Sequence, residues 1–248
     1  MSKKKAMFFK QSGGGGEPID YALDFMTATT IPNDSTVYYG ATAQEITGAG
    51  LWTAIDDLVI NIGDTIMDKM YAIYPHVGVL YADSAKWNLK NPLDTDEAFR
   101  LTFDNTGHDK LGSKLVNWTI DFGFMDTHFS PANNGVLTDL SFGYYNTEAG
   151  DIPTNEYWSG CRDAQGEMFI RSEYGGDITG KIGGTAVPSY VYNAGELGGL
   201  WSASRTSSTD SRIFYKGVEK AINTSVSTSN LPVTNFYLRC INEWKCFR

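Results

Sequence analysis

The spacing of apolar residues changes near residue 75, from a helical period to the alternation typical of β-strands. Before that point two apolar stripes follow each other: Leu51, Ile55, Leu58, Val59 and Ile62, then Ile66, Met70, Ile73 and Tyr74. Residues three or four apart share one face of a helix, so the stripes predict two amphipathic helices. Gly63 separates them, and Asp64 or Thr65 is expected to cap the second. Pro75 is expected to end it, because proline excludes the helical conformation from its predecessor.

The segment ahead of these helices, residues 19–50, shows no single period. Thr42–Glu45 has the form of a capping box and predicts a short helical turn. Helices of about three turns are unstable alone in water, so we expect the helical segment to pack on the rest of the chain or on a neighbour.

Alternating apolar and polar positions after residue 97 predict a series of short β-strands. Leu140, Phe142 and Tyr144, for example, alternate with small or polar neighbours. The predicted strands are 98–103, 117–122, 139–145, 167–171, 177–182, 199–205, 211–215, 218–222 and 236–241. Turn residues separate them, and Lys216-Gly217 predicts a two-residue hairpin turn. The fold class is therefore predicted as mainly β, an antiparallel β-sandwich behind a small N-terminal helical segment.

Composition and charge narrow the protein classes. The chain has 248 residues, of which 42% are hydrophobic and 20% charged, which is typical of a globular protein with one sizeable core. The formal net charge of −9 disfavours a uniformly basic nucleic-acid binder. No stretch reaches the ~20 apolar residues of a membrane helix, and the apolar run that ends at Lys10 is too short to predict an export signal. Cys161, Cys240 and Cys246 are interpreted as reduced thiols, with a contact between the last two left open.

Residues 1–18 are interpreted as a separate arm. It combines a basic cluster, three apolar residues and a run of glycines: Lys3, Lys4, Lys5, Met7, Phe8, Phe9, Gly13, Gly14, Gly15 and Gly16. Consecutive glycines predict a hinge. We expect the apolar residues to insert into a groove of a partner and the lysines to contact acidic surface beside it; a tail that lies on its own body is the alternative. The predicted organisation is an anchoring arm at 1–18, a helical segment at 19–97 and a β-sandwich at 98–248.

Six blocks between residues 50 and 240 stand out by their order and spacing. They are Met70–Gly78, Lys86–Pro92, Asp96–Phe103, Gly198–Asp210, Ile213–Val218 and Leu231–Leu238. In that order they resemble a module of tailed-phage structural proteins, in which a small helical segment leads into a concanavalin A-like (laminin G-like) jelly roll. The resemblance implies a jelly-roll topology and a place on the virion as a head fibre, a capsid decoration protein or part of a tail fibre.

No arrangement in the sequence predicts catalysis. Glycoside hydrolases built on this fold need two carboxylates across a cleft. The nearest acidic cluster, Asp94–Glu97, precedes a predicted strand, where a solvated turn or a helix cap is expected. His76, His108 and His128 lack the spacing of metal ligands. We therefore predict no catalytic residues, no metal site and no cofactor.

Aromatic side chains beside amide groups are the candidates for glycan contact. We single out Trp158, Tyr190 and Tyr192. The two tyrosines lie in a predicted loop, Pro188–Asn193, where packing onto the edge of the sandwich is the alternative. Trp201 alternates with its neighbours in a predicted strand and is expected in the core.

Taken together, the residues and the resemblance predict a non-enzymatic phage virion protein made in the host cytoplasm. Its expected partners are other capsid or tail proteins, further copies of itself and a host surface glycan, without nucleic acid and without membrane insertion. Two other classes stay open. One is a receptor-binding lectin or a carbohydrate-active enzyme, and the other is an assembly factor absent from the mature particle.

Overall fold

The computed structural model describes most of the chain between residues 20 and 238. The described ranges are 20–29, 36–39, 44–75, 86–104, 124–146, 156–173, 176–184, 187–193, 196, 198–224 and 230–238. The arm at 1–18, the predicted strand at 117–122, His76, His108, Cys240 and Cys246 lie outside these ranges, so the predictions made for them stay predictions.

Helices dominate the N-terminal part of the described chain, and strands dominate the remainder. The helices are α1 (Tyr21–Thr29), α2 (Gly48–Ile62), α3 (Asp64–Met67) and α4 (Pro131–Asn134), and a 3₁₀ turn covers Asp96–Ala98. The strands are β1 (Thr36–Tyr39), β2 (Gln44–Thr47), β3 (Thr102–Asp104), β4 (Phe124–Asp126), β5 (Leu140–Asn146), β6 (Glu156–Arg162), β7 (Glu167–Glu173), β8 (Asp177–Ile182), β9 (Ser189–Val191), β10 (Gly199–Arg205), β11 (Ser211–Tyr215), β12 (Val218–Asn223) and β13 (Tyr237–Leu238).

Helices α1 and α2 share a small apolar core of their own. Its buried members are Ala22, Phe25, Met26, Leu51, Ile55 and Leu89. Helix α2 confirms the first predicted helix, since Leu51 and Ile55 of the predicted stripe are buried there. No prediction covers α1, although Asp20 is a signal for its start: its carboxylate accepts a hydrogen bond from the Leu23 amide at 2.9 Å.

The second predicted helix is much shorter than its apolar stripe indicates. Helix α3 ends at Met67, and Pro75 therefore does not end it. Residue Gly63, with a φ of 73°, precedes the helix, and no side chain caps it, so the caps predicted at Asp64 or Thr65 are wrong. The reason for the early end is tertiary. The Ile73 amide donates to the Asn88 side chain and the Ile73 carbonyl accepts from the Leu89 amide, so both groups are withdrawn from a helix.

Two antiparallel sheets form the β part, which confirms the mainly β prediction. One sheet has four strands in the order β12-β11-β10-β5, and the other has seven in the order β3-β4-β13-β6-β7-β8-β9. Every strand pair described in them is antiparallel. Strands β1 and β2 form a separate hairpin, which overturns the helical turn predicted around Gln44 and Glu45.

The two sheets enclose the larger apolar core. Its most buried members include Trp201, Ala203 and Ile213 from the four-stranded sheet and Ile170, Ile178 and Ile182 from the seven-stranded sheet. The sheets approach closely at Gly180, where an added Cβ would lie 3.0 Å from the Cβ of Ala203 and 3.0 Å from the Cγ1 of Ile213. Cys161 also lies in this core as a free thiol, as predicted, and burial raises its pKa.

Individual strands follow the predictions closely in the four-stranded sheet and less closely elsewhere. Strands β8, β10 and β11 have the predicted bounds. The strand predicted at 98–103 is largely wrong, because the 3₁₀ turn and a left-handed residue at Phe99 (φ 57°) delay β3 until Thr102. Strands β4, β6 and β9 and the single turn of α4 are missed. The predicted loop at Pro188–Asn193 contains β9.

The turn between β11 and β12 is the predicted two-residue hairpin. Lys216 and Gly217 have φ angles of 50° and 77°, the left-handed pair that such a turn needs. An added Cβ at Gly217 would meet no atom within 4 Å, so a substitution there changes only the backbone preference. We expect Gly217→Ala to lower the free energy of unfolding by about 1–2 kcal/mol. Lys216→Asn should instead raise the free energy of unfolding, because asparagine tolerates this conformation. Urea titrations measure both variants, and a loss of stability in both would contradict the left-handed conformation of the turn.

Candidate recognition surface

The four-stranded sheet buries one face and presents the other to solvent. On β5, Leu140 is buried and Phe142 and Tyr144 are partly buried against the core, whereas Tyr145 is 64% exposed. On β10, Trp201 is fully buried and its neighbour Leu200 is 44% exposed. The alternation that predicts the strands therefore also assigns their faces. Trp201 lies in the core, as predicted.

Aromatic and aliphatic side chains gather at one corner of the exposed face. Leu200 pairs directly with Tyr145 across β10 and β5. Phe214, on β11, pairs with Ser202 and is the diagonal neighbour of Leu200, a separation that large side chains can bridge. Gly143 lies under Leu200: an added Cβ there would lie 3.3 Å from the Leu200 Cδ1.

Hydroxyl and charged groups border that corner. The Ser141 and Ser204 hydroxyls are hydrogen-bonded to each other at 2.7 Å across β5 and β10. Next to them, the Arg212 guanidinium donates to the Glu219 carboxylate at 2.9 Å and to the Asp210 carboxylate at 3.2 Å. We call the set Ser141, Gly143, Tyr145, Leu200, Ser202, Ser204, Arg212 and Phe214 the outer surface. It combines an exposed aromatic ring, small residues and hydrogen-bonding groups on a rigid sheet.

Tyr190, a predicted glycan contact, belongs to a different cluster at the edge of the sandwich. Its hydroxyl donates to the Glu196 carboxylate at 2.9 Å, and the Lys220 ammonium lies 5.0 Å from its ring centroid. Lys220 also donates to Glu196 at 2.6 Å, and Trp201 Nε1 donates to the Glu196 carbonyl at 3.2 Å. Because Tyr190 comes from β9 and Lys220 from β12, the cluster joins the edges of the two sheets. The hydroxyl and ring of Tyr190 are thus engaged in internal contacts.

Glu196 makes this edge sensitive to acid. Hydrogen bonds from the Lys220 ammonium and the Asn193 amide lower the pKa of Glu196 from 4.5 to about 2. A carboxyl group whose pKa is depressed by folding stabilises the folded chain above its ordinary pKa, and that contribution disappears as the pH falls through the folded value. We therefore expect the wild-type chain to lose more unfolding free energy than Glu196→Gln between pH 4.5 and pH 2.

Urea titrations at a series of pH values test this expectation. Glu97→Gln is the matched control for the substitution itself, because Glu97 is exposed in the 3₁₀ turn. Parallel profiles for wild type and Glu196→Gln would contradict the structural role of Glu196.

The other predicted site residues are placed as follows. Tyr192 is partly buried and packs against the main core. Trp158 lies in β6, and its side chain is outside the described part of the structure, as is the whole anchoring arm. The sequence analysis missed the outer surface because it considered only the inward-facing apolar residues of β5. The same alternation of apolar and polar positions indicates that Tyr145 faces outward.

Three of the resemblance blocks meet at one buried side chain, Asn88. Its Oδ1 accepts hydrogen bonds from the amides of Ile73 and Lys90, each at 3.0 Å. Its Nδ2 donates to the carbonyls of Tyr71 at 3.1 Å and Ala98 at 2.9 Å. The Tyr71 ring in turn lies 5.1 Å from the Phe129 ring of the sandwich core. Asn88 therefore holds residues 71–98 together, and Tyr71 provides a contact from this segment to the sandwich core.

A hydroxyl, an imidazole and a carboxylate also approach one another near this junction. His128 Nε2 lies 2.7 Å from the Thr102 hydroxyl and 3.5 Å from the Asp96 carboxylate. A catalytic relay needs the hydroxyl and the carboxylate on different ring nitrogens, whereas both contact Nε2 here. Asp96 and Asp94 also bind Arg100, at 3.1 and 3.2 Å, in the predicted turn. The arrangement is that of a hydrogen-bonded surface turn.

The described residues contain neither a cluster of metal-ligating side chains nor a helix that could span a membrane. No three His, Cys, Asp or Glu side chains within the described ranges come together as they would around a metal ion. None of the described helices has the length and apolar content to cross a membrane. Comparisons of the chain with family profiles, with curated proteins and with solved structures find no match.

Proposed function

We propose that this chain is a structural protein of a tailed-phage particle and that it works by binding. In this proposal the chain is a head fibre or a capsid decoration protein with a concanavalin A-like jelly roll. The arm at residues 1–18 docks on a capsid or tail protein through Met7, Phe8 and Phe9, and the sandwich is displayed outward.

The observation that carries the proposal is the outer surface. Tyr145 and Leu200 are adjacent on a sheet face that is turned away from the core, and both are exposed. An exposed aromatic side chain brings a large contact area at a low cost in conformational entropy, which suits recognition. The strands beneath it are held by the main core, so the surface is rigid before it meets a partner.

The order of the resemblance blocks is the second support. One of them contains β10, another contains the last three residues of β11, and a third contains β13 of the opposite sheet; β10 and β11 are two of the three strands that carry the outer surface. The three blocks around Asn88 are tied to one another by its hydrogen bonds, and the Tyr71 ring contacts Phe129 of the sandwich core. The residues of these blocks form strands and hydrogen bonds of the fold, as expected for the framework of a module.

Mass spectrometry of purified phage particles tests the proposal directly. We expect the chain in the particle, and deletion of residues 1–16 should abolish its incorporation while the purified variant keeps the circular dichroism spectrum of the wild type. Tyr145→Ala is the matched control, because a surface change away from the arm should leave incorporation intact. Particles that lack the wild-type chain would contradict a virion role.

Glycan adhesion is a second candidate function, and serine hydroxyls on the same face as Tyr145 favour it. Ser202 lies diagonally across from Tyr145, and the hydrogen-bonded pair Ser141 and Ser204 lies further along the same two strands. Sugars offer an apolar ring face and many hydroxyls, which match an aromatic side chain and serine hydroxyls. On a glycan array, we expect Tyr145→Ala to weaken the binding of any captured glycan at least tenfold. Val191→Ala, at an exposed position of β9, should bind like the wild type. Product release in a reducing-sugar assay would instead favour an enzyme.

A further inference from the structure

A chemically labile pair of residues lies at the end of helix α4. Asn134-Gly135 is the one place in the sequence where glycine follows asparagine. The backbone nitrogen after an asparagine attacks the side-chain carbonyl carbon most readily when it belongs to glycine, because no side chain hinders the approach. Asn134 is partly exposed, and Gly135 lines an open groove of about 480 Å³ together with Val136 and Val233. The pair is therefore accessible to the water that deamidation consumes.

The fold has a use for both members of this pair. The Asn134 Oδ1 accepts a hydrogen bond from the Ser130 amide at 3.0 Å and so closes the turn of α4. A larger residue does not fit at Gly135, since an added Cβ would lie 2.9 Å from the Pro131 carbonyl oxygen and 3.2 Å from the Leu140 Cδ2. Hydrogen bonding accounts for the asparagine, and packing accounts for the glycine.

In the closed turn the reacting groups are held in other contacts. Deamidation requires the Gly135 nitrogen to lose its proton and to approach the Asn134 Cγ. The Gly135 N–H instead donates to the Pro131 carbonyl at 2.9 Å. The Asn134 side chain is held by the Ser130 amide. The turn has to open before the two groups can react.

Helix α4 is fastened to the segment before β13. The Ala132 amide donates to the Pro232 carbonyl at 2.9 Å. The Ser130 hydroxyl donates to the Val233 carbonyl, also at 2.9 Å. Opening of α4 therefore breaks contacts with residues 232 and 233 as well as those within the turn, and its free energy sets the fraction of molecules that can react.

We propose that Asn134 is a deamidation site that reacts only when α4 opens, and that the isoaspartate product then keeps the turn open. The Gly135 nitrogen forms a bond to the Asn134 Cγ, the bond from Cγ to the side-chain nitrogen breaks, and ammonia leaves with the proton that the Gly135 nitrogen gives up. Water then opens the cyclic imide at either carbonyl, which leaves aspartate or isoaspartate at position 134.

The two products affect the turn differently. Aspartate keeps an oxygen that accepts from the Ser130 amide, so the turn closes again. Isoaspartate directs the backbone through the former side chain, which adds one atom to the chain ahead of Gly135 and moves its amide away from the Pro131 carbonyl. The close packing around Gly135 leaves no room for that change.

Peptide mapping by mass spectrometry, after incubation of the full-length chain in mildly alkaline buffer, tests the site and its gating. We expect Asn134 to deamidate about tenfold or more slowly in the folded chain than in guanidinium chloride or in a synthetic peptide of residues 128–140, because the folded chain reacts only through its open fraction. Equal rates in the folded and unfolded chains would overturn the gating. An Asn134 that stays intact in the unfolded chain would overturn the site.

Two serine variants test whether α4 is the element that has to open. Ser130→Ala removes the hydrogen bond to Val233 and should speed deamidation of the folded chain about fivefold, the equivalent of about 1 kcal/mol, with no change in guanidinium chloride. Ser189→Ala is the matched control: it removes an exposed hydroxyl that donates to Asp177 on the edge strand β9, and it should react like the wild type. An unchanged rate in Ser130→Ala would contradict the role of α4. So would the same acceleration in both variants, since it would reflect opening of the whole sandwich.

Hydrogen exchange on the separated products tests the effect on the turn. In the isoaspartate product we expect amide exchange in residues 130–135 and 230–233 to rise about threefold or more over the unmodified chain. Asn134→Asp, which reproduces the aspartate product, should exchange like the wild type. Unchanged exchange in the isoaspartate product would overturn the second half of the proposal.

Discussion

Replacing Trp201 with alanine should lower the free energy of unfolding by about 4 kcal/mol, a large share of the 5–15 kcal/mol that holds a typical domain. The side chain is completely buried between the sheets. Its ring lies 4.7 Å from the Tyr215 ring and 6.2 Å from the Tyr190 ring, and its Nε1 donates to the Glu196 carbonyl. The truncation would therefore open a cavity and also remove the anchor of the cluster at the sandwich edge.

Two further substitutions separate these effects. Trp201→Phe keeps an aromatic ring but leaves the Glu196 carbonyl without its donor, so we expect a loss of about 2 kcal/mol. Leu200→Ala changes the adjacent residue on the exposed face and should cost within about 0.5 kcal/mol. Urea titrations followed by circular dichroism measure all three. If Leu200→Ala were as damaging as Trp201→Ala, the assignment of the two faces of β10 would be wrong.

The second large effect is expected at Asn88, where Asn88→Leu should cost about 4 kcal/mol. Leucine has nearly the same shape, but two amides and two carbonyls would lose their partners, and each unsatisfied buried group costs about 1–3 kcal/mol before any rescue by water. Because all four bonds lie within residues 71–98, the damage should begin there.

Hydrogen exchange can resolve that local effect. In Asn88→Leu we expect the amides of Ile73 and Lys90 to exchange faster under native conditions, while β10 and β11 keep their protection. Asn91→Leu is the matched control: Asn91 is exposed three residues further on, and its substitution should change neither stability nor exchange. A uniform rise across the whole chain would show instead that the two parts unfold as one unit.

Strand β10 and the second predicted helix show when an apolar pattern predicts structure correctly and when it does not. For β10 the local preference and the tertiary environment agree, because every other residue faces a core that the opposite sheet completes. For residues 68–74 they disagree. The apolar spacing is helical, yet the backbone groups of Ile73 bond to Asn88 and Leu89. The spacing of apolar residues along the chain shows which side chains can share one face of an element. It contains no information on where distant hydrogen-bonding partners lie.

The candidate sites show the same division. The alternation in β5 already distinguishes inward from outward residues, so the exposure of Tyr145 was accessible from the sequence. The contact between Tyr145 and Leu200 could not be predicted from the sequence, because β5 and β10 are far apart in the chain and their register is set by the sheet. The predicted loop around Tyr190 is another case: an edge strand formed there because β8 offers it a pairing partner.

What the sequence determined by itself is the mainly β class, the first long helix, the bounds of β8, β10 and β11, the hairpin at Lys216-Gly217 and the inward position of Trp201. All of these depend on the preferences of neighbouring residues. The order of strands in each sheet, the early end of α3, the junction at Asn88, the Glu196 cluster and the groove beside Val233 were decided only by the tertiary structure. They depend on contacts between residues that are remote in the chain. The free energy of these contacts exceeds the local conformational preference, and the contacts produce no periodic pattern in the sequence.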